Sequence, residues 1–366
     1  MQIKFLDLKA QYLTIKNEID MALAKVIDST SFILGDAVAD FENRFAEYCG
    51  TKYCIAVNSG TSALHLILKG LGIGPGDEVI TSANTFMATV AAIVESGAKP
   101  VLVDIESQTR NIDISKIEKA ISSKTRAIMP VHLYGSMVNM TELGKIADKH
   151  GLMIIEDAAQ AHGAKFYGQP AGSFGIAAGF SFYPGKNLGA YGEGGAIVTS
   201  DDHLNETLRK LRDHGSAKKY YHDIFGYNAR MDGFQGAVLG VKLKYLDKWN
   251  KARNRVAENY YKKLKGLPVI FPEKIEGNYQ VYHQLVIEVE ARDKLQKFLG
   301  ERNIPTLIHY PIPIHMQKAF IEAGLTAKAL PVTERLAGRI LSLPIYPELR
   351  DDEIDYICSQ ISEFFN

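Results

Sequence analysis

The chain has 366 residues, 46% of them hydrophobic, which is enough for a large buried core and too apolar for a disordered protein. Lysine plus arginine balances aspartate plus glutamate, 42 against 42, so there is no general basic field to hold nucleic acid, and a charged ligand must be met by local clusters. Three cysteines, Cys49, Cys54 and Cys358, cannot build a disulfide framework in a chain this long and lack the paired spacing of a zinc site, so a reducing, cytoplasmic setting is expected.

The opening segment "MQIKFLDLKAQYLTIKNEID" mixes acidic and basic residues with no apolar signal core, and no apolar run reaches membrane length. Neither a cleaved export signal nor a membrane span is expected. From about residue 53 to 200, short apolar runs alternate with helical patterns: "YCIAV", "DEVIT", "KPVLVDI", "RAIMPVHL", "LMIIED", "AGFSF" and "GGAIVTS". Strands apolar along most of their length and joined by helices predict an α/β fold with a largely parallel sheet covered on both faces. After Ser200 a helix, "DDHLNETLRKLRDHG", leads into the aromatic-rich loop "SAKKYYHDIFGYNARMDG" and a long helical stretch. The last hundred residues mix strand-like "YHQLVIEV" and "TLIHY" with helices, as in a smaller α+β domain. A boundary near Trp249 divides the chain into a large domain with the N-terminal helix, 1–248, and a small one, 249–366.

The stretch "AGFSFYPGKNLGAYGEGG" places Lys186 among glycines. A Walker A loop needs G-x-x-x-x-G-K-[ST]; here the spacing from Gly179 to Gly185 is one residue too long, and Asn187 occupies the hydroxyl position. Lys186 instead follows a strand at its C-terminal end, where open α/β sheets place ligands. One strand earlier, "LMIIEDAAQAHGA" ends a buried strand in a carboxylate, Asp157, which needs a cationic or hydrogen-bonded partner or serves as a cap. A pyridinium nitrogen is such a partner: pyridoxal phosphate enzymes pair an aspartate with that nitrogen and bind the cofactor aldehyde through a lysine. Independently, "NSGTSALHLILKG" sets Gly60, Thr61 and Ser62 at the start of a helix after a strand, either as an ordinary cap or as a phosphate site.

Taken together and in order, "NSGTSAL", "TFMAT", "EDAAQAHG", "SFYPGKNLGAYGEGGAI", "LRDHG", "GYNARMD" and "IHYPIPIH" resemble the DegT/DnrJ/StrS family of pyridoxal-phosphate-dependent sugar-nucleotide aminotransferases, over essentially the whole chain. The resemblance implies the aspartate aminotransferase fold, with a mostly parallel large domain and a smaller α+β C-terminal domain, and a homodimer with active sites at the subunit interface. Matched residue by residue, it implies that Lys186 carries the cofactor and acts as the base, and that Asp157 pairs with the pyridine nitrogen. Gln160 would bond the ring hydroxyl and Phe86 would stack on the ring. Thr61, Ser62 and Ser181, with Gly60, would hold the phosphate, helped by Asn228 from the other subunit. His162 follows the aspartate in the family pattern, either as a core histidine or as a direct contact.

Tyr183, where family 4-aminotransferases commonly carry histidine, and "HYPIPIHMQ" resemble the subgroup that aminates C3 of dTDP-3-keto-6-deoxyhexoses. This implies dTDP-3-amino-3,6-dideoxyhexose formation with L-glutamate as donor; a 4-keto sugar nucleotide or a cyclitol is the alternative acceptor. Tyr183, His309 and Tyr310 are candidate sugar contacts, although "TLIHYP" also reads as an edge strand. Lys219 and Tyr221, in the basic and aromatic run "RDHGSAKKYYHD", read either as a solvated face or as a loop closing over the nucleotide diphosphate. His309 and His315 lack a third ligand at a recognisable spacing, so no metal is expected. Gly185 occupies a position where the family more often carries threonine.

Overall fold

The computed structural model describes residues 1–366. Seven strands form its central sheet: β1 Tyr53–Val57, β2 Glu78–Ser82, β3 Lys99–Val103, β4 Thr125–Met129, β5 Met153–Asp157, β6 Ala177–Ser181 and β7 Gly195–Thr199. Each apolar run identified in the sequence supplies one of them. The order across the sheet is β1-β7-β6-β5-β4-β2-β3. β2 pairs in parallel with β3 and β4, β4 with β5, and β5 with β6, whereas β7 runs antiparallel to both β6 and β1. The reversal has a local cause. A parallel return needs a crossover that carries the chain back to the other end of the sheet, whereas residues 182–194, with a proline and four glycines, turn back so that Gly195 lies opposite Ser181.

Helices cover both faces: α1 Leu8–Ser29, α2 Asp36–Cys49, α3 Gly60–Gly70, α4 Met87–Ser96, α5 Met140–His150, α6 Asp202–Arg212 and α7 Gly233–Leu243. Alternate residues of one strand enter opposite layers, as the period of two requires. Cys54 and Ala56 of β1 join Phe41, Phe45, Phe180, Phe182 and Leu239 on one face, while Ile55 and Val57 join Leu64, Ile67, Ile93 and Leu208 on the other.

Beyond these lie α8 Leu246–Lys263, β8 Leu285–Glu288, α9 Arg292–Gly300, α10 Lys318–Glu322, α11 Pro331–Ala337, β9 Ile340–Leu343 and α12 Asp351–Phe365. β8 and β9 pair antiparallel, and Val256, Tyr260, Leu285, Ile287, Leu299, Leu341, Ile354 and Ile357 build a second core with them. The start of the chain departs from the sequence-based division. Ile3 is buried in this second core, and its N–H donates to the Asn303 carbonyl at 3.1 Å, so the first residues pack with the C-terminal part of the chain rather than with 1–248. α8 spans the join: Trp249 packs with Ile15, Ile19 and Val238, and Val256 two turns on lies in the second core. "TLIHY" does not form an extended edge strand; Leu307 makes a single bridge to Ser342. No helix is long and apolar enough to cross a membrane.

Candidate active site

The carboxyl ends of β1, β5 and β6 and the beginning of the reversed strand β7 share one edge of the sheet, as the pairings Val57↔Gly195 and Ser181↔Gly195 require. An anion cradle forms there. Ser59 is the N-cap of α3: its Oγ accepts the Ser62 N–H at 3.0 Å and lies 2.9 Å from the Ser62 hydroxyl. Gly60 and Thr61 begin the helix, so their amides have no carbonyl to bond within it and carry the positive end of its dipole. The closeness of the surrounding backbone accounts for two of the glycines. A Cβ on Gly60 would come within 2.6 Å of Ser181 Cβ, and one on Gly195 within 2.4 Å of the Ser59 carbonyl group. Gly60, Thr61, Ser62 and Ser181 are thereby gathered around one point, in the donor-rich arrangement that suits a phosphate.

Asp157 closes β5 and is buried. Its Oδ2 accepts the Thr89 hydroxyl at 2.7 Å and its Oδ1 the Ala159 amide at 3.2 Å; Thr89 in turn lies 2.7 Å from the Thr85 hydroxyl. Burial pushes the Asp157 carboxyl above its ordinary value, against these hydrogen bonds and the attraction of Lys186. Its neighbour Glu156 faces the other way. His132 at 2.9 Å, with the amides of Gly172, Phe174 and Gly175, outweighs burial there and holds Glu156 below the usual carboxylate range. The unusual group of the pair is therefore the one facing Lys186.

Lys186 sits in the turn after β6, its N–H donating to the Tyr183 carbonyl at 2.8 Å. Asn187 anchors the turn from below, its Nδ2 donating to Asn250 Oδ1 and to the Val281 carbonyl, both at 2.9 Å. Burial pushes the Lys186 amine down to about 8, opposed by Asp157, so a fraction of it is neutral near pH 7. Its Nζ lies 3.5 Å from Nε2 of buried His283. A Cβ on Gly185 would meet only ordinary contacts with Leu6 and Tyr183, so nothing steric demands glycine where the family more often has threonine.

Phe86 caps α4 with its ring exposed, 5.7 Å from the ring of Tyr310. Gln160 joins the same wall: its Oε1 accepts the Tyr134 N–H at 2.7 Å, and its Nε2 donates to the Tyr310 hydroxyl at 3.1 Å. His309 Nδ1 is 2.7 Å from the Ser342 hydroxyl, and burial, then Lys186, pushes its ring down to about 4. Tyr183 is exposed at the mouth, its N–H on Ser181 Oγ at 3.3 Å. His162 is buried in the aromatic layer against Phe180 and Phe182, and burial pushes it down to about 3. His315 is occupied by Glu334 at 3.1 Å.

Three candidates are not brought to this wall. Lys219 and Tyr221 belong to an exposed two-stranded ribbon, Ser216–Lys218 with Tyr221–His222, tethered to α6 through Lys210 and Asp223 at 2.6 Å. Lys219 lies over Tyr220 at 5.1 Å. Asn228 is exposed, with its Oδ1 taken by Arg230 at 3.0 and 3.2 Å. Conversely, Thr89, Tyr134 and His283 are part of the site and were not anticipated. A hydroxyl four residues after Thr85 on the "TFMAT" helix was the one available signal, and it became meaningful only once α4 lay against the end of β5.

The profile described as the DegT/DnrJ/EryC1/StrS aminotransferase family matches residues 13–362. The chain is 47% identical over 368 residues to a protein of Geobacillus stearothermophilus named pleiotropic regulatory protein, covering 100% of this chain and 99% of that one. It is 46% identical over 362 residues to the dTDP-3-amino-3,6-dideoxy-alpha-D-galactopyranose transaminase of Aneurinibacillus thermoaerophilus, covering 99% of both. Among solved structures, S. venezuelae DesV in complex with a ketimine intermediate superposes with a TM-score of 0.97 at 45% identity, over 100% of this chain and 99% of that one.

Proposed function

Because the chain belongs to the DegT/DnrJ/EryC1/StrS aminotransferase family, we propose that it is a pyridoxal-phosphate-dependent transaminase moving the amino group of L-glutamate to C3 of a dTDP-3-keto-6-deoxyhexose, giving a dTDP-3-amino-3,6-dideoxyhexose. The observation that carries this reading is the placing of Lys186 and Asp157 at one sheet edge, beside a cradle of amides and hydroxyls around Gly60. The chain's residues fit the cofactor on three counts. The unbonded amides that open α3 at Gly60 and Thr61 lie against Ser181, so close that Gly60 has no room for a side chain, Asp157 is buried without a cationic hydrogen-bond partner of its own, and Lys186 has a depressed amine.

In this reading Thr61, Ser62 and Ser181, with the amides of Gly60 and Thr61, hold the phosphate, Asp157 holds the pyridine nitrogen, Phe86 covers the ring and Gln160 meets its hydroxyl. Pyridoxal phosphate supplies an aldehyde that takes up amines and a ring that accepts the electrons left when a proton leaves the substrate. Lys186, once its amine is free, removes that proton and returns it one carbon away; a positioned acid–base group contributes about 10²–10⁴-fold. Its pKa of about 8 suits the task, since it can both take and give a proton near neutrality.

C3 specificity is supported by the activity named for the Aneurinibacillus relative and by Tyr183, exposed at the mouth beside the lysine turn. His309 and Tyr310 are the further sugar contacts. Lys219 and Tyr221, on an exposed ribbon, and Asn228, whose exposed side chain is held by Arg230, fit a homodimer in which each subunit lends them to the cleft of the other, Asn228 to the phosphate and the ribbon to the nucleotide. A cytoplasmic setting suits both substrates. The test is a panel of keto sugar nucleotides and cyclitol ketones. The purified protein carries a yellow absorbance that glutamate removes and dTDP-3-keto-6-deoxyglucose or its C4 epimer restores, with nitrogen on C3 by NMR. Restoration by 4-keto substrates alone overturns the regiochemistry, and a protein that never loses its colour to any amino donor is a binder, as the regulatory name of the Geobacillus relative would suggest.

A further inference from the structure

His283 touches the proposed reacting amine from the side of the C-terminal domain. It follows Val281, which is buried in the first core, and Tyr282, which is buried in the second, so its backbone is fixed at the seam between them. Its Nε2 lies 3.5 Å from Lys186 Nζ, and its Nδ1 is buried without a hydrogen-bond partner. An orphaned buried nitrogen requires a reason.

The charged and titratable groups around the pair dictate the ring's state. His283 is faced by Lys186 from the β6–β7 loop, Arg253 from α8, His309 from the segment before β9 and His162 from the segment after β5. Burial first, then the cations Lys186 and Arg253, hold the imidazole well below its ordinary value, so it is neutral. Arg253 is itself committed to the carbonyls of Tyr282 and Ile345, at 3.1 and 3.0 Å. Asp157 is the charge that opposes burial of the Lys186 amine, and His162, His283 and His309 are its other titratable neighbours. A neutral imidazole offers one N–H and one lone pair. Lys186 has an N–H to donate in either protonation state, whereas its own lone pair exists only when it is neutral. Only a ring with its lone pair on Nε2 is therefore matched to the lysine throughout, and that tautomer leaves the proton on the orphaned Nδ1.

We infer that His283 is the positioning residue of Lys186: its Nε2 accepts an N–H of the lysine whenever the amine is free of the cofactor, which aims the amine's remaining lone pair into the cleft. A lysine has a four-carbon stem, and without such an acceptor the released amine samples many rotamers while the substrate waits. His283 takes up no proton itself. The inference rests on the proposed role of Lys186, and the experiment separates the two.

Borohydride reduction and peptide mapping of the wild-type holoenzyme come first; a cofactor trapped elsewhere than on Lys186 overturns the underlying reading. In cofactor-free protein, the pH dependence of Lys186 labelling is then compared among wild type, H283F, H283M and H283Q. Losing an acceptor that favours the charged amine lowers the midpoint, by about one unit in H283F and H283M, and the amide oxygen of H283Q restores part of it. In single turnover with glutamate, the rate falls about 10- to 100-fold in the apolar variants with the glutamate KM near wild type, and H283Q recovers part of that loss. Nitrogen NMR of histidine-labelled wild type needs no variant and shows the His283 proton on Nδ1. A proton on Nε2, or apolar variants whose Lys186 titrates as in wild type while the cofactor is still trapped there, overturns the role of His283 and leaves that of Lys186 intact.

Discussion

At the scale of single residues, Thr89 shows how much of the site depends on a group with no chemistry of its own. Its hydroxyl is a direct donor to the buried Asp157 carboxylate, from a helix 68 residues away in the chain. Thr89→Val keeps the shape and removes that donor, leaving Asp157 and the Thr85 hydroxyl short of a partner, at a cost of roughly 1–3 kcal/mol. The Asp157 pKa is already raised by burial, and losing a bond to the charged form raises it further. In the proposed role of Asp157, the charged partner of the ring nitrogen is then lost at a higher pH, so the acid limb of the transamination profile moves upward. A profile that superposes on wild type would show that Thr89 only fills space. The uneven visibility of these residues has a physical reason. Asp157 ends β5 and Lys186 lies in the turn after β6, its parallel neighbour, so their meeting follows from chain order once the strands are recognised. Thr89 and His283 reach the same spot through packing between a helix and a strand end and between two cores, and linear spacing carries no trace of either.

Among the elements, the join of β1, α3 and β7 sets the shape of the anion cradle. The sequence "NSGTS" displayed a capped helix start, but not which serine is the cap, because Ser59 and Ser62 are both suitable; the fold assigns it to Ser59. Gly195 has no unusual turn to make; its hydrogen is needed because the Ser59 carbonyl lies where a methyl would go. Gly195→Ala meets backbone rather than a movable side chain, so the first turn of α3 must shift. The expected result is a loss of about 1–3 kcal/mol in stability and pyridoxal phosphate affinity lowered by about tenfold or more. Equilibrium dialysis of the cofactor and a thermal melt check both, and an unchanged affinity would place the phosphate elsewhere. The reversed direction of β7 was likewise invisible in its own residues, since "GGAIVTS" reads the same either way; the loop before it, which turns back to set Gly195 opposite Ser181, decides the matter.

Across the whole molecule, the large and small cores meet along α8 and through the buried Arg110–Glu288 pair at 2.7 Å. Lys242 of α7 is a buried cation near that join: its Nζ donates to the Gly189 carbonyl in the lysine loop and lies over the rings of Tyr191 and Trp249 at 5.0 and 5.9 Å. Burial, opposed by Glu348, pushes its amine down to about 7. An unfolded lysine titrates near about 10.4, so between these values the unfolded chain holds a proton that the folded one has released. Stability therefore rises with pH across that window, by up to about 1.4 kcal/mol per unit, and the penalty is complete below the lower value. Comparing thermal melts of wild type and Lys242→Met from pH 7 to 10 isolates this group, because every other titration is shared. Wild type gains on the variant as the pH rises, and parallel curves would mean that Lys242 stays charged in the fold.

The reversal at β7 has a consequence for how such a protein can change. Elsewhere in the parallel part of the sheet, a strand's place depends on a crossover that carries the chain back to the same end, so altering a connection risks moving a strand. Residues 182–194 leave from Ser181 and return to Gly195 directly opposite it. They form a cassette with adjoining ends, tied down by Asn187 and Lys242 rather than by the topology. Phe182, Leu188 and Ala190 hold the segment in the large core, so its exposed positions, Tyr183 and Tyr191 among them, are the ones that can be exchanged with least disturbance to the scaffold. Under the proposed function, acceptor specificity can vary there, around Tyr183, while the cradle and the carboxylate beneath stay as they are.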